Sequence, residues 1–223
     1  MKVFAASTAF SMLRPMDIMA GEKINRPLRI GFIGTGSRGT SVVTAMSHNN
    51  NIEIYALADL FRDRIDDVKP QLDKLNAAKG LPPVAEENIY VGGDAYKKLL
   101  RDKQVDAVII STPAYAHPMI FETAVKAHKH VYCEKPSAPE VWGTRRMMKA
   151  ARGVRNLSLV LGFQVRYASA YDEMIRRIHN GDIGEVLTAQ LYYNGSGGGG
   201  KRPAVENDEF RIRNHFQYLA LSG

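Results

Sequence analysis

A chain of 223 residues has room for one domain and part of a second. Its 45% hydrophobic and 24% charged residues are those of a soluble globular protein, and no apolar run approaches the roughly twenty residues that a membrane-crossing helix needs. The net charge of +7 raises an anionic partner, yet the most basic stretch, Arg145 to Arg155, has no aromatic residues between its charges for bases to stack on, so neither nucleic acid nor membrane is expected as a partner.

Residues 1–25 fit no element of the fold. Lys2, VFAASTAFSML and the small pair Ala20-Gly21 read either as an export leader or as a poorly ordered arm. Location follows from that choice: periplasmic with a leader, cytoplasmic without one. LRIGFIG is then a short buried strand. It runs into Gly34-Thr35-Gly36-Ser37-Arg38-Gly39, a G-x-G-x-x-G run, and SVVTAM has helical spacing. IEIYALAD is a second strand, ending at Asp59 about twenty residues past the last glycine.

A lone glycine run also marks ordinary turns. Between a strand and a helix, with the acid in place, it predicts a dinucleotide site. Gly34 permits the tight turn, Gly36 lets the backbone approach the pyrophosphate, and Gly39 lets helix and strand pack closely. Thr35, Ser37 and Arg38 complete a loop whose helix end offers free N–H groups and a positive dipole end. Asp59 is placed to accept both ribose hydroxyls. A 2′-phosphate about 4 Å away would be repelled by about 4 kcal/mol at an intermediate dielectric. That favours NAD over NADP, with Arg62 working against the preference.

FRDRIDDVKPQLDKLNAAKG follows as a helix with Pro70 a candidate break. After the polar loop LPPVAEEN come the short strand IYVGG and the helix AYKKLLRD, with Asp94 as its cap. DAVIIS is a continuous apolar run of the kind that fills the middle of a parallel sheet. HPMIFETAVKAHKH is helical and HVYCE is a strand. PEVWGTRRMMKAAR is a helix with a solvated basic face and with Met147 and Met148 turned inward. SLVLGF is a last strand. Such alternation predicts βαβ units with right-handed crossovers, hence an α/β fold with a doubly wound parallel sheet over residues 26–164. The single cysteine, Cys133, leaves no internal disulfide and is expected to be a buried, inert thiol. No Cys/His cluster has metal-ligand spacing, so no metal is expected.

From 165 to 223 the pattern changes. ASAYDEMIRRIHNG is an amphipathic helix and EVLTAQLYYN a long alternating strand. The glycine run from Gly195 to Gly200 is a linker or a lid, and a charged stretch to Arg213 follows. One strand cannot build a sheet with its own core, so the second domain is expected to be incomplete.

Ligands of open parallel sheets bind outside the carboxyl ends of the strands. Two loops lie there. Ser111-Thr112-Pro113-Ala114-Tyr115-Ala116-His117-Pro118 follows DAVII, and Glu134-Lys135-Pro136 follows HVYC. A lysine desolvated or near a cationic ring is tuned toward acid–base work. The alternative is a plain surface pair of Glu134 with Lys135. His117 either caps or packs at the start of its helix or takes part in chemistry. Tyr115 borders the site or packs in its loop.

GFIGTGSRG, ALADLF, the STPAYAHP loop and CEKPSA followed by GFQVRY resemble the Gfo/Idh/MocA family, the group of glucose–fructose oxidoreductase and inositol dehydrogenase, from about Leu28 to the last residue. The resemblance implies a Rossmann domain, then an α/β domain whose sheet covers the nicotinamide. It also implies hydride transfer between NAD(P) and a sugar, cyclitol or related polyol. Lys135 becomes the catalytic lysine of the EKP motif. Ser111, Thr112, Pro113, His117, Glu134 and Lys135 line the cofactor. Tyr115, Arg166 and Tyr167, the last two in the Q-x-R-Y segment, stand on the substrate side. Full-length members pair as homo-oligomers. The closing FRIRNHFQYLALSG is similar to the stretch before the helix that carries a further catalytic histidine in the family, so this chain is expected to be C-terminally truncated and to show negligible dehydrogenase activity alone. AASTAFSML resembles the tail of a twin-arginine leader without the arginine pair. Three activities stand: an NAD(P)-dependent oxidoreductase, a redox-neutral NAD-dependent glycosidase, and a non-catalytic NAD-binding fragment.

Overall fold

The structure is a computed structural model and describes residues 26–192, 194 and 207–222. The predicted leader or arm and the glycine run lie outside the described residues. Six parallel strands form one sheet: β1 (Leu28–Ile33), β2 (Ile52–Asp59), β3 (Ile89–Val91), β4 (Ala107–Ile110), β5 (His130–Cys133) and β6 (Leu159–Leu161). Their order is β3-β2-β1-β4-β5-β6, so the winding reverses between β1 and β4 and opens a crevice at the carboxyl ends of those two strands.

Helices cover both faces. On one, Val42 and Val43 of α1 (Ser37–Asn49) and Ile65 and Leu72 of α2 (Arg62–Ala77) pack on Ile30, Phe32, Ile54 and Ile109. On the other, α3 (Ala95–Arg101), α4 (His117–Lys126) and α5 (Val141–Ala151) bring Leu99, Phe121 and Met147 against Ile33, Val108, Ile110 and Val131. Neighbouring residues of β1 and β4 thus serve opposite layers, which is why these strands read as unbroken apolar runs. Burying each large side chain completely contributes roughly 1.5–3 kcal/mol.

Several local expectations are corrected. Met147 is 4% exposed but Met148 is 61% exposed. Successive helical residues lie about 100° apart, so one narrow buried stripe cannot take both. Asp94 makes no capping bond with its side chain and instead pairs with Lys97 at 2.6 Å. Helix α2 continues through Pro70. Helix α4 ends at Lys126, and His128 takes a left-handed conformation (φ 55°) on the way into β5. Helix α6 (Ser169–His179) forms as predicted, but the described part of EVLTAQLYYN is not a strand, and Leu191 is 96% exposed. Among the described residues no strand pairs with it, and an unpaired strand has no ladder to hold it extended. Two short helices, α7 (Asp208–Arg213) and α8 (Leu219–Ser222), close the described chain. No described helix is long and apolar enough to cross a membrane.

Candidate functional site

The chain leaves β1 through Gly34, whose φ of +88° places it in the left-handed region. A Cβ there would lie 2.7 Å from the Ser111 and Thr112 backbone, so the first glycine is required by both conformation and space. At Gly39 a Cβ would meet Phe32 at 2.6 Å and Ser111 at 2.7 Å, which ties α1 closely to β1 and β4. Gly36 differs: a Cβ there meets nothing within 4 Å. It is the N-cap of α1 and supplies no capping side chain, and the first turn holds no acid. The amides at this helix end therefore face an open cradle, the arrangement that binds an anion.

Asp59 closes the cradle from β2. Its Oδ2 accepts from the Thr35 amide at 2.7 Å and from the Thr35 hydroxyl at 3.1 Å, and its Oδ1 accepts from the Phe61 amide at 3.0 Å. An ionised carboxylate has about four acceptor positions. Capacity for a ribose hydroxyl remains, and the loop is held against the acid before any ligand arrives.

The other wall is built by β4 and β5. His117 is buried at the start of α4, and its ring ties the two loops together: Nδ1 lies 2.7 Å from the Pro136 carbonyl and Nε2 2.7 Å from the Thr112 carbonyl. It is a loop tie, the packing alternative left open by the sequence. A neutral imidazole donates through one nitrogen only, so the two carbonyls favour the imidazolium while burial, the larger influence, pushes the pKa down. His130 and His215 are pushed down first by burial as well. With folded pKa values below the unfolded value of about 6.5, the folded chain binds fewer protons than the unfolded one, and stability present above that value is lost as the pH falls through the lowered range. The melting temperature is therefore expected to drop between about pH 7.5 and 5.5; a flat or rising profile would contradict this.

Glu134 is 3% exposed. Its Oε1 accepts from the Arg38 guanidinium at 3.0 Å and the Tyr132 hydroxyl at 3.1 Å, and its Oε2 from the Lys135 amide at 3.2 Å. Burial and this carboxylate push the Tyr132 phenol up to about 12. Gly162, just past β6, leaves room for the pair, since a Cβ there would collide with the Tyr132 hydroxyl. The plain surface pair of Glu134 with Lys135 does not form. Lys135 is exposed, and its ammonium makes no hydrogen bond or ion pair among the described residues. Arg38 points to Glu134 and, at 3.4 Å, to Gln164, so it spans the two sides of the crevice.

The hydroxyls of Ser111 and Thr112 are buried without a partner at the end of β4, beside Pro113. Tyr115 is half-exposed on a 3-10 turn, Ala114–Ala116, and burial raises its phenol. Arg166 and Tyr167 sit exposed on a turn after β6. Sequence reasoning missed Tyr132, Gly162 and Gln164. The first carried a signal: in the strand read from HVYCE, Tyr132 and Glu134 are two residues apart and share a face. Cys133 is buried and its thiol pushed up by burial, as expected of an inert group. Among the described residues no His, Cys, Asp and Glu cluster could hold a metal.

The model of the Gfo/Idh/MocA family, described as "Oxidoreductase family, NAD-binding Rossmann fold", matches residues 28–163. The chain belongs to this family. The glycosyl hydrolase family 109 protein of Solibacter usitatus is 30% identical over 175 residues, which are 77% of this chain and 38% of that protein. Myo-inositol 2-dehydrogenase of Thermotoga maritima is 29% identical over 161 residues, 71% of this chain and 42% of its own. The solved structure of KijD10, a 3-ketoreductase from Actinomadura kijaniata in complex with TDP-benzene and NADP, superposes with a TM-score of 0.55 at 27% identity, covering 72% of this chain and 46% of that one. The chain thus spans less than half the length of these family members. The open cradle at Gly36, the uncapped α1 and the spare capacity of Asp59 fit the NAD(P) cofactor of the family.

Proposed function

We propose that this chain is the nucleotide-binding part of an oxidoreductase that moves a hydride between NAD and a hydroxyl-bearing ring carbon of a sugar, cyclitol or related polyol. Residues 26–164 form the cofactor unit, and residues 165–223 belong to the substrate unit. The observation that carries this reading is the Gly36 cradle at an uncapped helix end, faced by Asp59. The amides of Ser37, Arg38 and Gly39 donate to the pyrophosphate, and Asp59 accepts from the adenosine ribose. The bound nicotinamide supplies the hydride chemistry. Lys135 presents Nζ to the reacting oxygen, its neutral amine taking the hydroxyl proton on oxidation and its ammonium returning one on reduction, while Glu134, locked by Arg38 and Tyr132, fixes the loop that holds it. Ser111, Thr112, Pro113 and His117 shape the nicotinamide wall. Tyr115, Arg166 and Tyr167 face the substrate. A carbohydrate or polyol is the partner, and complete copies pair as homo-oligomers.

The choice of NAD rests on charge around the adenosine end. Arg62 is engaged by Asp66 at 2.8 Å and Glu86 at 2.5 Å, so it is not free to offset repulsion between Asp59 and a 2′-phosphate. The NADP in the KijD10 complex makes this a point to measure. Asp59→Ala should weaken NAD binding roughly 10- to 100-fold, the loss of charged hydrogen bonds, and narrow the preference over NADP. Equal calorimetric affinities for wild type and variant, with both cofactors, would remove Asp59 from the site.

The likeness to a glycosyl hydrolase family 109 protein favours a second reading, in which hydride leaves and returns within one turnover and a glycosidic bond is cleaved. Stoichiometric NADH accumulation separates the two: the dehydrogenase produces it and the glycosidase does not.

A further inference from the structure

Residues 207–222 lie against both ends of the crevice. At one end the Arg213 guanidinium sits 3.8 Å from the centre of the Phe61 ring and pairs with both Asp63 oxygens, at 2.8 and 3.0 Å. Glu209 accepts from the same guanidinium, at Nε, at 2.8 Å. Phe61 is the residue whose amide donates to Asp59, so this stack adjoins the carboxylate assigned to the adenosine ribose. At the other end α8 packs on the Ala114–Ala116 turn beside the nicotinamide wall. The segment therefore runs over the carboxyl edge of the sheet from the exit of β2 to the exit of β4, across the path a dinucleotide takes.

We propose that Arg213 and Phe61 form the outer wall of the adenosine pocket and that residues 207–222 strap the bound cofactor into the crevice, with the Arg213–Asp63 pair as the latch. This rests on the cofactor reading above. A flat guanidinium on an aromatic face is a rigid, weakly hydrated surface on which a purine can lie, and here it is part-buried and held by a bidentate ion pair. The strap acts on residence time: the cofactor leaves only when the latch opens.

The test is stopped-flow release of NADH from the 223-residue chain, with limited trypsin digestion as a second readout. Arg213→Ala and Asp63→Asn each remove the latch from a surface position and leave the cradle intact. Arg213→Ala, which loses the ion pair and the cation–π contact, should speed NADH release by about fivefold or more, and Asp63→Asn, which loses the ion pair alone, by about twofold. Arg213→Lys keeps the charge but not the flat stack and should fall between. NADH should protect the wild-type strap from cleavage and should not protect the Arg213→Ala strap. Binding with release and cleavage unchanged in all three variants overturns the strap and leaves the cofactor reading standing. Absence of NADH binding by the wild-type chain overturns both.

Discussion

Replacing Lys135 with alanine should lower kcat by roughly 10²- to 10⁴-fold, the usual contribution of a positioned acid or base, with NAD affinity changed by about twofold at most. The split follows from the geometry. The Lys135 ammonium is exposed at the mouth of the crevice and makes no side-chain partnership among the described residues. The dinucleotide contacts proposed above, at Gly34–Gly39 and Asp59, use no atom of the Lys135 side chain. The backbone at Lys135 is held by its own amide to Glu134, which alanine keeps. The assay is steady-state oxidation of a sugar or inositol by a full-length version of the protein, read with NAD titration of the same variant. A wild-type turnover number would reduce Lys135 to scaffold. A large loss of NAD affinity would place it on the dinucleotide.

Gly34→Ala should remove NAD binding and destabilise the fold by roughly 3 kcal/mol or more. Left-handed backbone costs an L side chain about 1–2 kcal/mol. At this glycine the added methyl would also press on backbone atoms of Ser111 and Thr112 at 2.7 Å, which cannot swing away as a side chain could. Relief requires β1 and β4 to move apart, and that is where the crevice is built. Gly36→Ala is the control: the same methyl meets open space and leaves stability near wild type, while intruding on the ligand's approach. Thermal melting of the two variants beside NAD titration separates them. Equal stability losses would contradict the different roles given to the two glycines.

What the sequence showed of this fold was whatever depends on short-range pattern. The strands β1, β2, β4 and β5 are apolar runs bounded by turns, and the β1–Gly34–Gly39–α1–β2–Asp59 succession carries its own spacing, so both were legible. The outcome at Met148 and Asp94 was decided by which narrow stripe of a helix meets the core and which side-chain partner competes for a cap, and neither is written in residue type. The expected strand at EVLTAQLYYN alternates correctly, but a strand exists through its neighbours. At the site, the residues of one local motif could be named from the sequence, but the contacts that folding makes between motifs could not. Arg38 and Glu134 are separated by 96 positions and meet at 3.0 Å, and Asp63 and Arg213 by 150 and meet at 2.8 Å. Spacing along the chain has no means of announcing either pair.

The central claim is that a dinucleotide lies in the crevice between β1 and β4 with its pyrophosphate on the end of α1. A crystal structure of the chain grown with NAD tests it most directly. The expected result is density for the pyrophosphate within about 3 Å of the Ser37–Gly39 amides, with the adenosine ribose on Asp59. A crevice without nucleotide in crystals grown at saturating NAD, or NAD bound elsewhere on the chain, would contradict it.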